Sequence, residues 1–129
     1  MDIELKFRES LLPVFGLESI DDVLPERSLV NDIGADSLDF VEIIYVIEQN
    51  FGVALKTGQI LTGGEYVSPE QMFPDGVLSQ EGYSIICNRF PAKASVISPG
   101  ASRIDVLRTI TVGDIVRVIE QRLKEAENA

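Results

Sequence analysis

Asp32-Ile33-Gly34-Ala35-Asp36-Ser37-Leu38-Asp39-Phe40 runs straight into an acidic amphipathic helix. Gly34 lets the chain turn just before the helix. Asp36 or Ser37 can cap the free N–H groups at its start, and Asp39 adds negative charge to the first turn. Phe40, Ile43, Ile44, Ile47 and Phe51 then recur at helical spacing and predict a buried stripe. The helix is expected to end near Gln49–Asn50, with Gly52 as the breaker. Asp39, Glu42 and Glu48 fall on other faces. Leu38, Val41 and Tyr45 form a second apolar row, available either as a core edge or as a docking surface.

This arrangement places one serine hydroxyl at a helix start, flanked by carboxylates, in a chain with no histidine. A hydrolase serine needs a base to take its proton, and the commonest base is missing. The alternative is an attachment point: a phosphate ester at Ser37 would sit where unpaired N–H groups and the helix dipole favour negative charge.

The flanking sequence predicts further helices. Ile3, Phe7, Leu11 and Phe15 step by four and predict a helix over about residues 2–15. Pro13 is expected to end it early or kink it, and Gly16 to stop it. The long connection from Leu17 to about Ala35 reads as irregular, pinned by Ile20, Val23, Leu24, Leu29, Val30 and Ile33. At the other end, Thr111-Val112-Gly113-Asp114 resembles a capping box with Asp in the acidic position. Val112, Ile115, Val116, Ile119 and Leu123 give the last helix its apolar face, and Glu125 to Ala129 is expected to fray.

Residues 57–110 are broken by Gly58, Gly63, Gly64, Gly76, Pro69 and Pro74. Ser68-Pro69-Glu70-Gln71 combines an N-cap, proline at the first helical position and Gln at the third. Ser79 caps a second predicted piece in which Tyr83, Ile86, Cys87 and Phe90 share a face, stopped by Pro91. The segment holds Tyr66, Phe73, Tyr83 and Phe90, richer in aromatics than a disordered linker, so much of it should fold onto the helices. Pro91 to Arg103 reads as loop, and Ile104 to Ile110 as a short helix or an extended connection.

The chain has 129 residues and a net charge of −10, and residues 1–56 alone hold twelve Asp/Glu against four Lys/Arg. That balance argues against nucleic acid and for partners with basic patches. No apolar run approaches the roughly 18 residues of a membrane span, and the acidic Met1-Asp2-Ile3-Glu4 start is unlike a signal peptide. A lone Cys87 fits a reducing compartment, so a cytoplasmic location is expected. On its apolar stripe, with no histidine to activate it, Cys87 reads as a small hydrophobe. Asp21, Asp22, Glu26 and Asp32 lack the spacing of a Ca²⁺ loop, and no zinc site, P-loop or dinucleotide fingerprint is present, so no metal is expected.

Asp36-Ser37-Leu38, preceded by Ile33-Gly34-Ala35 and followed by the acidic helix to Phe51, resembles the acyl carrier protein family. The likeness extends to the order of elements: an N-terminal amphipathic helix, a long pinned loop, the serine-led helix and a C-terminal helix. It covers about residues 2–56 and 104–125. It implies an all-α, acyl-carrier-like helical bundle, a single carrier domain over residues 1–129 that does no catalysis itself. Ser37 would receive 4′-phosphopantetheine from a phosphopantetheinyl transferase, and the arm would carry fatty acyl groups as thioesters between enzymes of fatty acid or lipid biosynthesis. Asp36, Asp39, Glu42 and Glu48 match the acidic face read by basic patches on acyl-loading, elongating and transferring enzymes. Leu38, Val41 and Tyr45 match the apolar positions such partners cover. Leu29, Phe40, Ile47, Ile115 and Ile119 match the lining of the acyl pocket, where burial is worth about 0.8 kcal/mol per methylene. The high negative charge favours a monomer.

The departure from the family is the inserted segment, about residues 57–103, between the second and last helices. An insertion here, Asp39-Phe40 after Ser37-Leu38, and Val77-Leu78-Ser79-Gln80-Glu81-Gly82-Tyr83 resemble specialised carriers of very-long-chain fatty acids for lipid A. The segment could extend or gate the acyl pocket, form a recognition surface, or only decorate the fold. Two rival functions stay open: a peptidyl or aminoacyl carrier, and an unmodified helical interaction module in which Ser37 is merely a cap.

Overall fold

The computed structural model describes residues 2–64 and 66–127, and every structural statement below refers to these. Three long helices carry the fold: α1 (Ile3–Phe15), α2 (Ser37–Phe51) and α7 (Val112–Glu127). Between α2 and α7 lie four shorter ones, α3 (Thr57–Leu61), α4 (Pro69–Met72), α5 (Gln80–Arg89) and α6 (Arg103–Leu107). No strand is present among the described residues, and the pairings Ser28 with Thr111 and Val77 with Ser102 are single antiparallel bridges. The architecture is all-α, as the apolar periodicities predict.

Helices α1, α2 and α7 pack against one another, and α3 sits against both α2 and α7. Their predicted stripes form the core: Phe7, Leu11, Phe40, Ile43, Ile47, Val112, Ile115 and Ile119 are buried. Ile3, Phe15, Ile44 and Leu123 are partly buried against it. Removing this apolar surface from water is the main stabilising term for so small a bundle.

The helix ends follow from local chemistry. Asp2 caps α1, and Gly16 closes it in the left-handed conformation (φ 65°), donating its N–H to Leu12. Pro13 neither shortens nor breaks α1: it falls in the last turn, where the missing N–H costs a single bond. Helix α2 runs on to Phe51, just past the expected end, before Gly52 takes up φ 69°. Thr111 and Asp114 form the predicted reciprocal cap of α7, each accepting the other's N–H at 3.1 Å. The frayed tail is not what the structure shows as far as Glu127, since α7 remains helical to that residue. Asn128 and Ala129 lie outside the described residues.

The connection from Leu17 to Ala35 contains two short helical turns, Ile20–Val23 and Leu29–Ile33. Val23 and Leu29 are buried. Arg8 of α1 ties down the first turn, its guanidinium donating to the carbonyls of Val23 (3.0 Å) and Ile20 (2.9 Å). The second turn and the stretch leading into it are stitched to the start of α7: Leu29 N–H donates to Ile110 (3.1 Å), Val112 N–H to Arg27 (3.0 Å) and Gly113 N–H to Pro25 (2.9 Å). A Cβ on Gly113 would lie 3.2 Å from the Pro25 carbonyl oxygen, so the close approach favours glycine there.

The inserted segment is folded. Ser68 and Gln71 close the reciprocal cap expected of α4, and Ser79 caps α5 through the N–H of Gly82 (2.9 Å). Helix α3 was not readable from apolar spacing because it is one turn long, and the Pro91–Arg103 stretch contains a 3₁₀ turn, Pro91–Ser95. Ile104–Ile110 resolves as the short helix α6 followed by a turn. Leu61, Met72, Leu78, Ile86, Phe90 and Ile97 are buried in the same cluster as the three long helices. Of the four aromatics, Phe90 is buried, Phe73 and Tyr83 are half-buried and Tyr66 is exposed. Lys93 reaches back to Asp114 of α7 at 3.0 Å, a largely buried ion pair.

Candidate functional site

Ser37 is the first residue of α2 and is exposed. Of the two capping candidates, Asp36 takes the role: its carboxylate accepts the Asp39 N–H at 3.0 Å, while Asp39 accepts the Asp36 N–H at 2.9 Å. The reciprocal box satisfies the helix end without the serine. Among the described residues no side chain hydrogen-bonds to the Ser37 hydroxyl, which leaves it open to an incoming electrophile. Gly34, at φ 88°, turns the chain so that Ala35 is buried while Asp36 and Ser37 face solvent.

The surface beside Ser37 is apolar ringed by acid. Leu38, Val41 and Tyr45 are 79%, 60% and 57% exposed, so the second apolar row of α2 is not a core edge. Glu42 and Glu48 are exposed on the same helix, and Asp39 is half-exposed. The reciprocal role of Asp39 was readable as the pattern Asp36-x-x-Asp39, a capping box with Asp in place of Glu.

Leu29, Phe40, Ile47, Ile115 and Ile119 are all fully buried. They converge on the core from the loop turn, α2 and α7. None of them lines any of three surface cavities, which lie between α1, α5 and α7, between Pro25 and the start of α7, and between α3, α4 and α6.

Cys87 is half-buried and packs against the core from α5. Its neighbour Tyr83 is held above the ordinary phenol range, first by desolvation and then by its contact with Cys87. Among the described residues no group of three or more His, Cys, Asp or Glu is placed to hold a metal ion. No described helix is long and apolar enough to cross a membrane.

An exposed, unengaged serine at the head of an acidic helix, in a small helical bundle, offers an accessible point for covalent attachment. The family model described as a phosphopantetheine attachment site matches residues 6–65. The acyl carrier protein of Nitratidesulfovibrio vulgaris strain DP4 is 38% identical over 77 residues, covering 55% of this chain and 100% of its own. The acyl carrier protein of Nitratidesulfovibrio vulgaris strain Miyazaki F is 40% identical over 55 residues, 43% of this chain and 71% of its own. No solved structure matches.

The chain belongs to the acyl carrier protein family. It is a phosphopantetheine-bearing carrier that acts with biosynthetic enzymes and a phosphopantetheinyl transferase, and it is not itself an enzyme. The residues present fit the arm: the serine hydroxyl is accessible, and modifying it sacrifices no hydrogen bond of the fold.

Proposed function

We propose that the chain carries fatty acyl groups as thioesters on a 4′-phosphopantetheine arm attached to Ser37, and delivers them between enzymes of fatty acid or lipid biosynthesis. The observation that carries this reading is the division of labour at the head of α2. Asp36 and Asp39 hold the helix end, and the adjacent hydroxyl is exposed and unengaged.

Leu38, Val41 and Tyr45 form the apolar centre of the docking face, with Asp36, Asp39, Glu42 and Glu48 steering basic partners onto it. Exposed charges accelerate association without building a slowly dissociating interface, which suits a carrier that must leave each enzyme after delivery. The acyl chain enters the core among Leu29, Phe40, Ile47, Ile115 and Ile119. Because these residues fill the space between them, entry requires the bundle to part, and burial of the chain's methylenes offsets that cost. Residues 1–129 act as one domain, since the inserted segment shares the core of the three long helices. A monomer in the cytoplasm fits the charge and the single cysteine.

Intact mass after incubation with coenzyme A and a promiscuous phosphopantetheinyl transferase tests the attachment. A gain of one phosphopantetheine group that vanishes in Ser37→Ala is expected. No gain on folded protein would overturn the assignment of Ser37.

A further inference from the structure

At the mouth of the inserted segment lies a cavity of about 520 Å³ that includes neither Ser37 nor any residue assigned above to docking or to the acyl chain. Its floor is apolar: Leu61 and Met72 are 3% and 1% exposed, and Val67 and Phe73 complete the wall. Lys56 and Arg103, both exposed, supply the charge. No described residue of the lining carries a carboxylate, in a chain where 21 acidic residues outnumber 11 basic ones. Among the described residues of the lining the charge is thus the reverse of the global one.

Both cations are available. Arg8, Lys93 and Arg108 are paired with Glu4, Asp114 and Asp105, whereas Arg103 makes no ion pair among the described residues. The Lys56 ammonium rests 4.7 Å from the centre of the Tyr66 ring, a contact made through the ring face that leaves N–H groups free to donate.

We propose that this cavity is a second site, for a free amphipathic carboxylate, with the tail on Leu61, Val67, Met72 and Phe73 and the head between Lys56 and Arg103. The volume lies within the few-hundred to about 1,000 Å³ range of small-molecule sites. Apolar burial supplies the affinity, and the guanidinium fork and ammonium fix the orientation. A thioester-bound acyl group has no carboxylate to offer, so the ligand is not the cargo on the arm, and the site does not depend on modification of Ser37.

The test uses the Ser37→Ala protein, which removes the arm, titrated with decanoate below its micelle-forming concentration and, separately, with decanol. Amide shifts in the NMR spectrum locate the ligand, and calorimetry gives its affinity. Saturable decanoate binding is expected, with shifts centred on Leu61, Val67, Met72 and Phe73. Loss of both cations in Lys56→Met/Arg103→Met is expected to weaken decanoate about tenfold or more while changing decanol less than about twofold. Both positions are exposed, so the variant should keep the fold, which far-UV circular dichroism checks. The proposal is overturned by non-saturating decanoate binding or by shifts centred on Leu29, Phe40 and Ile119. An equal response of decanoate and decanol to the double substitution would also overturn it.

Discussion

Lys93 Nζ lies 3.0 Å from Asp114 Oδ2, with the two side chains only 9% and 15% exposed, and this contact fastens the inserted segment to the last helix. The same carboxylate oxygen accepts the Thr111 N–H at 3.1 Å, and the Lys93 ammonium also sits 4.6 Å from the centre of the Phe90 ring. One carboxylate therefore starts α7 and anchors a segment from the middle of the chain.

Breaking this pair from one side leaves a charge in a poorly solvated place. Lys93→Met should lower stability by about 2–3 kcal/mol, less than for a wholly buried pair because both groups keep some water. Asp114→Asn retains an oxygen for the Thr111 N–H, so in the double variant most of the Lys93→Met loss should be recovered. Urea denaturation of the four proteins checks this, and strictly additive losses would contradict the coupling.

The head of α2 separates two substitutions that differ by one position. Asp36→Ala should cost about 1 kcal/mol, the usual penalty for deleting a side-chain cap. Ser37→Ala should cost less than about 0.5 kcal/mol, because the hydroxyl holds nothing in the fold. Thermal melts of the unmodified proteins decide, and a larger loss for Ser37→Ala would mean that the serine does cap the helix.

Gly82 faces α4 closely, across from Met72. A Cβ there would lie 3.1 Å from the Met72 carbonyl oxygen and 3.0 Å from Leu78 Cδ1, and the first of these is backbone that cannot swing aside. Alanine improves helix propensity by about 1 kcal/mol, while overpacking costs about 1–3 kcal/mol. A net loss of about 1 kcal/mol is expected in a denaturant titration, and a gain would show that α4 yields easily.

Charge reversal on the proposed docking face should act on rate rather than on fold. Glu42→Lys/Glu48→Lys is expected to slow modification by a phosphopantetheinyl transferase about tenfold at low salt, with a smaller effect near 0.5 M salt, where screening shortens to a few ångström. Initial rates across a salt series provide the measurement. Equal slowing at every salt concentration would point to lost contact instead of lost steering.

The three long helices were legible because each carries a sustained apolar period with a recognisable boundary, Gly16 closing the first, Asp36 and Gly52 bounding the second and the Thr111–Asp114 box opening the last. The candidate serine was legible for a chemical reason, a hydroxyl at a helix head in a chain without histidine. Helix α3 was not: five residues are too few to show a period, and Thr57-Gly58 resembles a turn as much as a helix start. Lys93 was equally hidden, since a lysine among Pro91, Ala92, Ala94 and Ser95 gives no sign that its partner stands at the start of the last helix. Arg8 and Arg103 differ in the same way. One is engaged with loop carbonyls and the other stands at a cavity, and only three-dimensional proximity tells them apart.

The bridge between Val77 and Ser102 has a topological meaning. Leu78 N–H donates to Ala101 at 2.8 Å, and Gly100 N–H returns to Leu78 at 2.7 Å, so the chain departs into α5 and comes back at the same point. Residues 79–100 form a bud with a pinched neck, whose removal would call for only a short splice in the backbone. The face it shelters, by contrast, would have to be re-covered, because Ile86, Phe90 and Ile97 are set into the common core. Such a bud is cheap to graft by connectivity and demanding by packing, and a transplant into a plainer carrier would succeed or fail on the lysine and the three apolar side chains it brings with it.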